Sequence, residues 1–307
     1  MNYLNLRFLE TFLWVARLRS FSLAAEKVHA TQAGVSARIA ALERELGVQL
    51  FQRGVRDVRL TTEGLIAVEQ AELILRQVSQ FKASIQDPAK LQGSIRIGVI
   101  DTISFTWLPD LVDAMQERFP RVSFGMRADT SSQLGRALLK GDIDIALMMG
   151  PLQERGVSAL DLCTYGCRWV ASPRLGLAGS ELSMNDMARH RIVSFPDDSS
   201  LHASALHQAR ERSGGSPLFF TTNSLATIIR LTVDGIGVAA LPEAAVEGHL
   251  ASGELQVLSV TPEFPPLAVH AAWMDDPANP LPNLIAAIAQ QVAASFCAKR
   301  LPHVVRL

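Results

Sequence analysis

The sequence predicts an α/β protein built from an N-terminal winged helix-turn-helix, a long linker helix and a two-lobed α/β domain. Three observations lead to this fold class. Short amphipathic segments with tight connections fill the first 60 residues, one long heptad pattern follows, and from Leu91 strand-like and helix-like segments alternate. A chain of 307 residues is long enough for two or three such domains.

The charge is distributed unevenly along the chain. The formal net charge is only -1, but residues 1–64 contain nine Lys/Arg and six Asp/Glu, a balance of +3. The remaining residues contain 20 basic and 24 acidic side chains, a balance of -4. A small basic module on an acidic body favours a nucleic-acid partner for the N-terminal part.

The stretch "TQAGVSARIAALERELG" predicts a helix that starts after Thr31, a good N-cap, and stops at Gly47. One face is apolar at helical spacing: Val35, Ile39, Leu42 and Leu46. The opposite face is kept small: Ala33, Ala37 and Ala40. Gln32 and Ser36 flank the small face on one side and Arg38 flanks it on the other. An ordinary surface helix is the alternative, and the neighbouring segments decide between the two.

Two short helical segments precede this helix, and "VQLFQRGVRDVRLTTEG" after it predicts a two-stranded wing with basic residues near its tip. A helix-turn-helix places the start of its second helix against base edges in the major groove. Gln32 suits adenine, Arg38 suits guanine or phosphate, and Ser36 suits either a base edge or phosphate. The candidate DNA-binding residues are Ser22, Thr31, Gln32, Ser36, Arg38, and, for phosphate contacts by the wing, Arg53 and Arg56.

This region resembles the winged helix-turn-helix of LysR-type transcriptional regulators. The similarity rests on the ordered elements "SFSLAAEKVHATQAGVS", "I..LE..LG..LF.R" and "LT.EG". The sequence departs from the family pattern where Ala37 follows Ser36, because the basic residue comes one position later at Arg38. The resemblance implies binding to double-stranded promoter DNA, a small-molecule effector, and assembly as a homodimer or homotetramer, with RNA polymerase as a further candidate partner.

The segment after the wing carries a heptad pattern. Its apolar residues are spaced 4, 3, 4, 3, 4 and form a candidate dimer seam: Ala67, Ala71, Ile74, Val78, Phe81 and Ile85. Packing on the protein's own body is the alternative. Asp87-Pro88 is expected to end the helix, because the residue before a proline is pushed out of helical geometry.

Alternating strands and helices from Leu91 predict two α/β lobes, and the resemblance implies a periplasmic-binding-protein-like effector domain. We expect residues 1–61 to bind DNA, residues 62–90 to form the linker and hinge, and residues 91–300 to form the effector domain. Lobe I is expected at about 91–161 and 265–300 and lobe II at about 162–264, with a tail at 301–307.

Ligands of such folds bind beyond the carboxyl ends of the strands, where hydroxyls and free N–H groups collect. The candidate effector-binding residues are Thr102, Ser104, Ser131, Met149, Ser194, Phe195 and Asn223. Thr102 and Ser131 also match positions that family members often use to hold an anionic group, and Phe195 and Trp107 offer an apolar wall. An anionic or polar effector is expected. For each hydroxyl, helix capping is the alternative role.

Other classes of function find little support in the sequence. No catalytic grouping, metal cluster, phosphate loop or cofactor motif is visible, so neither an enzyme nor a metalloprotein is expected. The absence of an export signal or a membrane-length apolar run favours the cytoplasm and no membrane partner. Cys163 and Cys167 approach each other only if Tyr165-Gly166 forms a tight turn, which leaves a redox role open. A constitutive architectural DNA binder and a cytoplasmic small-molecule-binding protein without regulatory role remain the alternatives.

Overall fold

The computed structural model describes residues 4–52, 58–85, 89, 91–152, 154, 156–177, 179, 181–187, 189–199, 201, 203–205, 218–276 and 279–307. The chain forms two compact units. The first comprises residues 1–87 and 275–280, and the second comprises residues 88–274 and 281–307.

The first unit begins with three helices, Leu6–Leu18 (α1), Phe21–Lys27 (α2) and Gln32–Leu46 (α3). A side-chain oxygen caps each N-terminus, supplied by Asn5, Ser20 and Thr31 in turn. Such caps satisfy backbone N–H groups that have no partner inside the helix. Helix α3 ends at Gly47, whose φ of 71° lies in the left-handed region that glycine adopts without strain.

The core of this unit lies between the three helices and the first half of a fourth, Thr62–Ile85 (α4). Val35, Ile39 and Leu42 are buried as the α3 pattern predicts, but Leu46, the last predicted residue of that face, is 43% exposed. The wing is described at its base only, where Phe51 and Leu60 form an antiparallel bridge.

The structure divides the candidate dimer seam into three parts. Ala71 is buried and Ala67 is half-buried, and both pack in the core of the unit. The heptad pattern predicted that they would face a partner helix, but they contact their own unit instead. Ile74 is exposed and Val78 is half-buried. The side chains of Phe81 and Ile85 lie outside the described residues. A second apolar stripe that the heptad reading missed is exposed on the same helix: Leu65, Ile66 and Leu73.

The second unit contains a six-stranded mixed sheet that forms lobe I. Its strands are Gly93–Val99 (β1), Val122–Ala128 (β2), Ile145–Met149 (β3), Val157–Tyr165 (β4), Leu267–Met274 (β12) and Val305–Arg306 (β13), in the spatial order β13-β4-β12-β3-β1-β2. Parallel pairing joins β1 to β2 and to β3, whereas β12 and β13 run antiparallel to their neighbours. The helices of this lobe are Asp101–Ser104 (α5), Leu108–Arg118 (α6), Ser131–Lys140 (α7) and Leu281–Ala298 (α11).

The chain leaves lobe I later than predicted. Strand β4 pairs with β12 as far as Tyr165, so the crossing follows at Gly166 and not at Asp161. The C-terminal tail is also part of the lobe I sheet, because β13 pairs with Tyr165 and Thr164 of β4. A Cβ on Gly166 would lie 1.8 Å from the carbonyl oxygen of His303, so only glycine lets the tail pass this closely.

Lobe II is built from short strands and helices. The strands are Cys167–Ala171 (β5), Leu182–Ser183 (β6), Ile192–Ser194 (β7), Phe219–Thr221 (β8), Ala239–Pro242 (β9), Gln256–Val257 (β10) and Val260–Thr261 (β11). The helices are Met184–Met187 (α8), Leu225–Val233 (α9) and Glu247–Ala251 (α10), with 3₁₀ turns at Pro173–Leu175 and Glu243–Ala245. A three-stranded sheet has the order β10-β5-β9, and β7 pairs in parallel with β8.

Helix α11 alone, among the helices described, is long and apolar enough to cross a membrane by length and composition. Ile285, Ala289 and Ala293 are fully buried, and the helix packs against β4 and α6. A core helix of a globular domain passes the same test.

Candidate nucleic-acid interface and effector cleft

The start of α3 presents polar and small side chains outward. Gln32 and Ser36 are exposed, as are Ala33, Ala37 and Ala40. Thr31 accepts a hydrogen bond from the N–H of Gly34 at 3.1 Å. The small residues leave the helix backbone accessible on the face that bears Gln32 and Ser36. This geometry suits an approach to the floor of a major groove, about 12 Å wide in B-DNA.

A contact between the two helices of the motif orients Gln32. The hydroxyl of Ser22 donates to Oε1 of Gln32 at 3.3 Å, and both residues are exposed. The amide nitrogen of Gln32 remains available as a donor. Ser22, one of the sequence candidates, therefore contacts the candidate base-reading residue directly.

The basic candidate DNA-binding residue on α3, Arg38, is less exposed than Ser22 and Gln32. The guanidinium of Arg38 donates to the hydroxyl of Thr11 on α1 at 3.2 Å, and Arg38 is half-buried. It is therefore partly engaged within the unit and does not project freely. Arg53 and Arg56 lie outside the described residues.

Five of the seven candidate effector residues line one small cavity of about 20 Å³ between the two lobes: Thr102, Ser131, Met149, Phe195 and Asn223. Thr102 is 1% exposed at the start of α5, and its hydroxyl makes no hydrogen bond in the described part of the chain. The hydroxyl of Ser131 accepts from the N–H of Met149 at 3.0 Å, which joins the start of α7 to the end of β3. Residues that were predicted from the ends of strands in both lobes thus line the same cavity.

The other two candidates lie outside that lining. The hydroxyl of Ser104 donates to the carbonyl of Ile100 at 3.5 Å, within the short helix α5, and Ser194 is buried in β7. Trp107 is not a cavity wall, because it is fully buried and donates from its indole nitrogen to the hydroxyl of Tyr165 at 2.8 Å. Large aromatic side chains are often part of a hydrophobic core, and Trp107 is such a core residue.

The cavity is also lined by residues that the sequence reasoning missed: Ile100, Asp101, Asp129, Thr130, Ser199 and Leu201. The carboxylate of Asp101 accepts from the N–H of Leu225, the first residue of α9, at 2.8 Å. Asp129 accepts from the N–H of Thr130 at 3.0 Å and from Arg127 at 2.9 Å. Asp101 and Asp129 follow strands β1 and β2 directly in the chain, so the strand-end rule also points to them.

Polar contacts join the two lobes beside the cavity. The Asp101–Leu225 hydrogen bond joins lobe I to lobe II. At the rim, the hydroxyl of Ser132 donates to the carboxylate of Asp198, and Arg136 lies 3.8 Å from the same carboxylate.

The cysteines lie apart from this cleft. Cys163 and Cys167 occupy consecutive strands, and both are free and buried. Burial raises the pKa of the Cys163 thiol to about 12, to which the neighbouring Cys297 contributes. Burial also raises the pKa of Cys167. Both thiols are therefore protonated near neutral pH, which disfavours thiolate chemistry.

The residues described include no group of three or more His, Cys, Asp or Glu side chains placed to hold a metal ion. The lining of the cleft contains hydroxyls, carboxylates and an aromatic ring.

Comparisons with known proteins agree with both regions. Residues 6–65 match the bacterial regulatory helix-turn-helix protein domain of the lysR family, and residues 88–296 match the LysR substrate binding domain. A hydrogen peroxide-inducible genes activator of Dickeya chrysanthemi is 29% identical over 79% of this chain and 80% of its own length. The regulator CrgA of Neisseria meningitidis is 29% identical over 80% of this chain and 82% of its own.

A solved structure of CrgA from Neisseria meningitidis, a LysR-type transcriptional regulator, has the same fold. Its TM-score is 0.55 at 24% identity, with 94% of this chain and 99% of that chain covered. The two domain matches together span most of the chain, from the helix-turn-helix to the two-lobed domain. This chain therefore belongs to the LysR family of ligand-responsive, DNA-binding transcriptional regulators.

Proposed function

We propose that this regulator reads promoter DNA through the start of α3, with Gln32 as the base-reading residue. The observation that carries the proposal is the exposed Ser22–Gln32 pair on a face otherwise kept small. A glutamine whose Oε1 is fixed can present its amide donor in one direction, and an amide paired to adenine discriminates well against other bases.

The test compares cognate and random DNA. We expect Gln32→Ala to weaken binding to genomic fragments selected by the wild type by about 1–3 kcal/mol and to leave random-DNA binding nearly unchanged. Gln116→Ala, an exposed amide on α6 in the other unit, is the matched control and should alter neither. Arg53→Ala should weaken both kinds of binding alike and flatten the salt dependence, because a phosphate contact carries no base information. Equal losses on both DNAs for Gln32→Ala would exclude base reading.

The interlobe cavity is proposed as the effector site, with Thr102 and Ser131 as its central polar residues. A ligand can change DNA binding only if it favours one arrangement of the protein over another. A site bounded by both lobes meets this condition, because residues such as Thr102 and Phe195 come from opposite sides of the cavity.

We further propose a dimer-based assembly, a homotetramer of two dimers, acting in the cytoplasm with RNA polymerase as its downstream partner. Apolar residues exposed on α4 support a partner helix along that face: Leu65, Ile66, Leu73 and Ile74. We propose the domain boundaries 1–61, 62–90 and 91–307, with the crossing between lobes at Gly166 and with residues 301–307 included because β13 pairs with β4.

A further inference from the structure

A buried hydroxyl on α1 holds the basic side chain in the middle of α3. Thr11 is 1% exposed, and its hydroxyl donates to the carbonyl oxygen of Arg7 at 2.7 Å. Because a hydroxyl has one proton, the same oxygen can only accept a hydrogen bond from Arg38. The guanidinium of Arg38 donates to it from Nη1 at 3.2 Å. Thr11 therefore fixes one end of this guanidinium against α1.

Most of the Arg38 guanidinium has no described partner. A guanidinium has five N–H donors, and the hydrogen bond to Thr11 uses one of them. Among the residues that the structure describes, no carboxylate pairs with Arg38, although the side chain is half-buried. Removing a cation partly from water without a counter-charge is unfavourable. An anion supplied from outside the unit would offset this penalty.

The position of Arg38 on α3 favours the border of a DNA groove over its floor. Gln32 is the first residue of the helix, and Arg38 lies six residues further on. At 1.5 Å and 100° per residue, the two positions are about 9 Å apart along the helix axis and about 120° apart around it. Residues at the start of a recognition helix contact base edges. A side chain on the other flank, held back against α1, faces the phosphates beside the groove instead.

We propose that Arg38 binds a phosphate of the DNA backbone and that Thr11 is its positioning residue. The inference rests on the proposed role of α3 in DNA reading, and it chooses between the two partners, guanine and phosphate, that the sequence left open for Arg38. Two phosphate oxygens can accept two parallel N–H bonds from a guanidinium, which the unused donors of Arg38 can supply. Such a contact adds affinity and orients the protein but carries no base information.

The contact with Thr11 reduces the ordering that DNA binding requires. A free arginine side chain has many rotamers, and fixing it at an interface weakens binding by the entropy that is lost. Arg38 loses less of this entropy because Thr11 already holds it. Ordering one such side chain corresponds to about 2–12-fold in affinity, which is the loss expected when the Thr11 hydroxyl is removed.

The first experiment measures the DNA affinity of the full-length protein against salt by fluorescence anisotropy, with a genomic fragment selected by the wild type and random DNA of equal length. Arg38→Gln removes the charge, so it should weaken binding to both DNAs alike and reduce the salt slope by about 0.9 for each protomer on the DNA. Between about 50 and 200 mM salt, it should therefore lose about 3.5-fold less affinity per protomer than the wild type. Arg118→Gln, exposed on α6 in the other unit, is the matched control and should change neither quantity.

A double-mutant cycle tests Thr11. Thr11→Val should weaken binding to both DNAs by about 2–12-fold, whereas Thr11→Ser, which keeps the hydroxyl, should bind like the wild type. In the Arg38→Gln background, Thr11→Val should have no further effect on affinity. Circular dichroism gives the folded fraction, and each affinity is expressed per folded protein. If Thr11→Val does not fold, Thr11→Ala takes its place in the cycle.

The outcomes separate this proposal from the one for Gln32. If Arg38→Gln weakens binding to the selected fragment alone and leaves the salt slope unchanged, Arg38 reads a base and the phosphate contact is wrong. Unchanged binding to both DNAs also overturns the contact. A loss from Thr11→Val that persists without Arg38 overturns the positioning role. Equal losses for Gln32→Ala on both DNAs exclude base reading by Gln32, and they leave the phosphate contact intact if Arg38→Gln still flattens the salt slope.

Discussion

A chain of hydrogen bonds beneath the effector cleft allows a quantitative prediction. The indole N–H of Trp107 donates to the hydroxyl of Tyr165 at 2.8 Å, and that hydroxyl lies 2.8 Å from the hydroxyl of Thr106. Thr106 in turn bonds the carbonyl oxygen of Thr102 at 2.7 Å. Since Thr106 has one proton and gives it to Thr102, Tyr165 donates to Thr106 and accepts from Trp107.

We expect Tyr165→Phe to destabilise the protein by about 1.5–4.5 kcal/mol. Trp107 is fully buried, so the variant leaves its N–H without a partner, which costs about 1–3 kcal/mol. The lost Tyr165–Thr106 bond adds about 0.5–1.5 kcal/mol. Thr106 still has the carbonyl of Thr102 as its acceptor and adds no further cost.

Urea unfolding of the full chain, followed by circular dichroism, gives the free energy of unfolding. Thr106→Val is the comparison variant: it keeps the Trp107–Tyr165 bond but leaves the buried Tyr165 hydroxyl without its acceptor, so it should also cost about 1–3 kcal/mol. A Tyr165→Phe variant as stable as the wild type would refute the claim that the substitution leaves the indole N–H of Trp107 without a partner.

Three further predictions follow from other parts of the molecule. Gly166→Ala should destabilise by about 1–3 kcal/mol in the same urea assay, since its Cβ would meet the carbonyl of His303, whereas Gly248→Ala, with nothing within 4 Å, should not. Burial raises the pKa of Asp144, but hydrogen bonds from Arg96 lower it by more. Asp144→Asn should therefore cost about 0.2–1 kcal/mol at neutral pH, and its difference from wild type should vanish as the pH falls through that lowered pKa. Phe81→Asp, from the heptad pattern alone, should give smaller assemblies in analytical ultracentrifugation, and an unchanged mass would place the partner contact elsewhere.

The fold class was predictable because each unit carries a strong local signal. The apolar spacing of Val35, Ile39 and Leu42 predicted the face that α3 buries, and alternating segments predicted the α/β lobes. Boundaries were less predictable. The apolar residues around Cys163 would suit a strand of either lobe, so their composition does not show where lobe I ends. The pairing with β12 shows that β4 continues to Tyr165.

The spacing of residues in the sequence did not reveal which tertiary contacts the side chains make. Arg38 lies on the predicted flank of α3, but its contact with Thr11 depends on how α1 crosses α3. Ala71 fits a heptad, yet the same spacing serves the core of its own unit. Asp101 stood at a strand end in the sequence, but its partner Leu225 is 124 residues away, beyond any local pattern.

The order of strands in lobe I has a consequence for synthesis. Among the described strands, the partners of β4 are β12 and β13, and both follow it in the chain. About 100 residues separate Tyr165 from Leu267, which a ribosome makes in about 5–20 s at about 5–20 residues per second. Throughout that interval the apolar β4 has no sheet partner, while lobe II is being completed. The nascent chain must therefore form its inserted lobe first, and the lobe that begins the domain is the last to close.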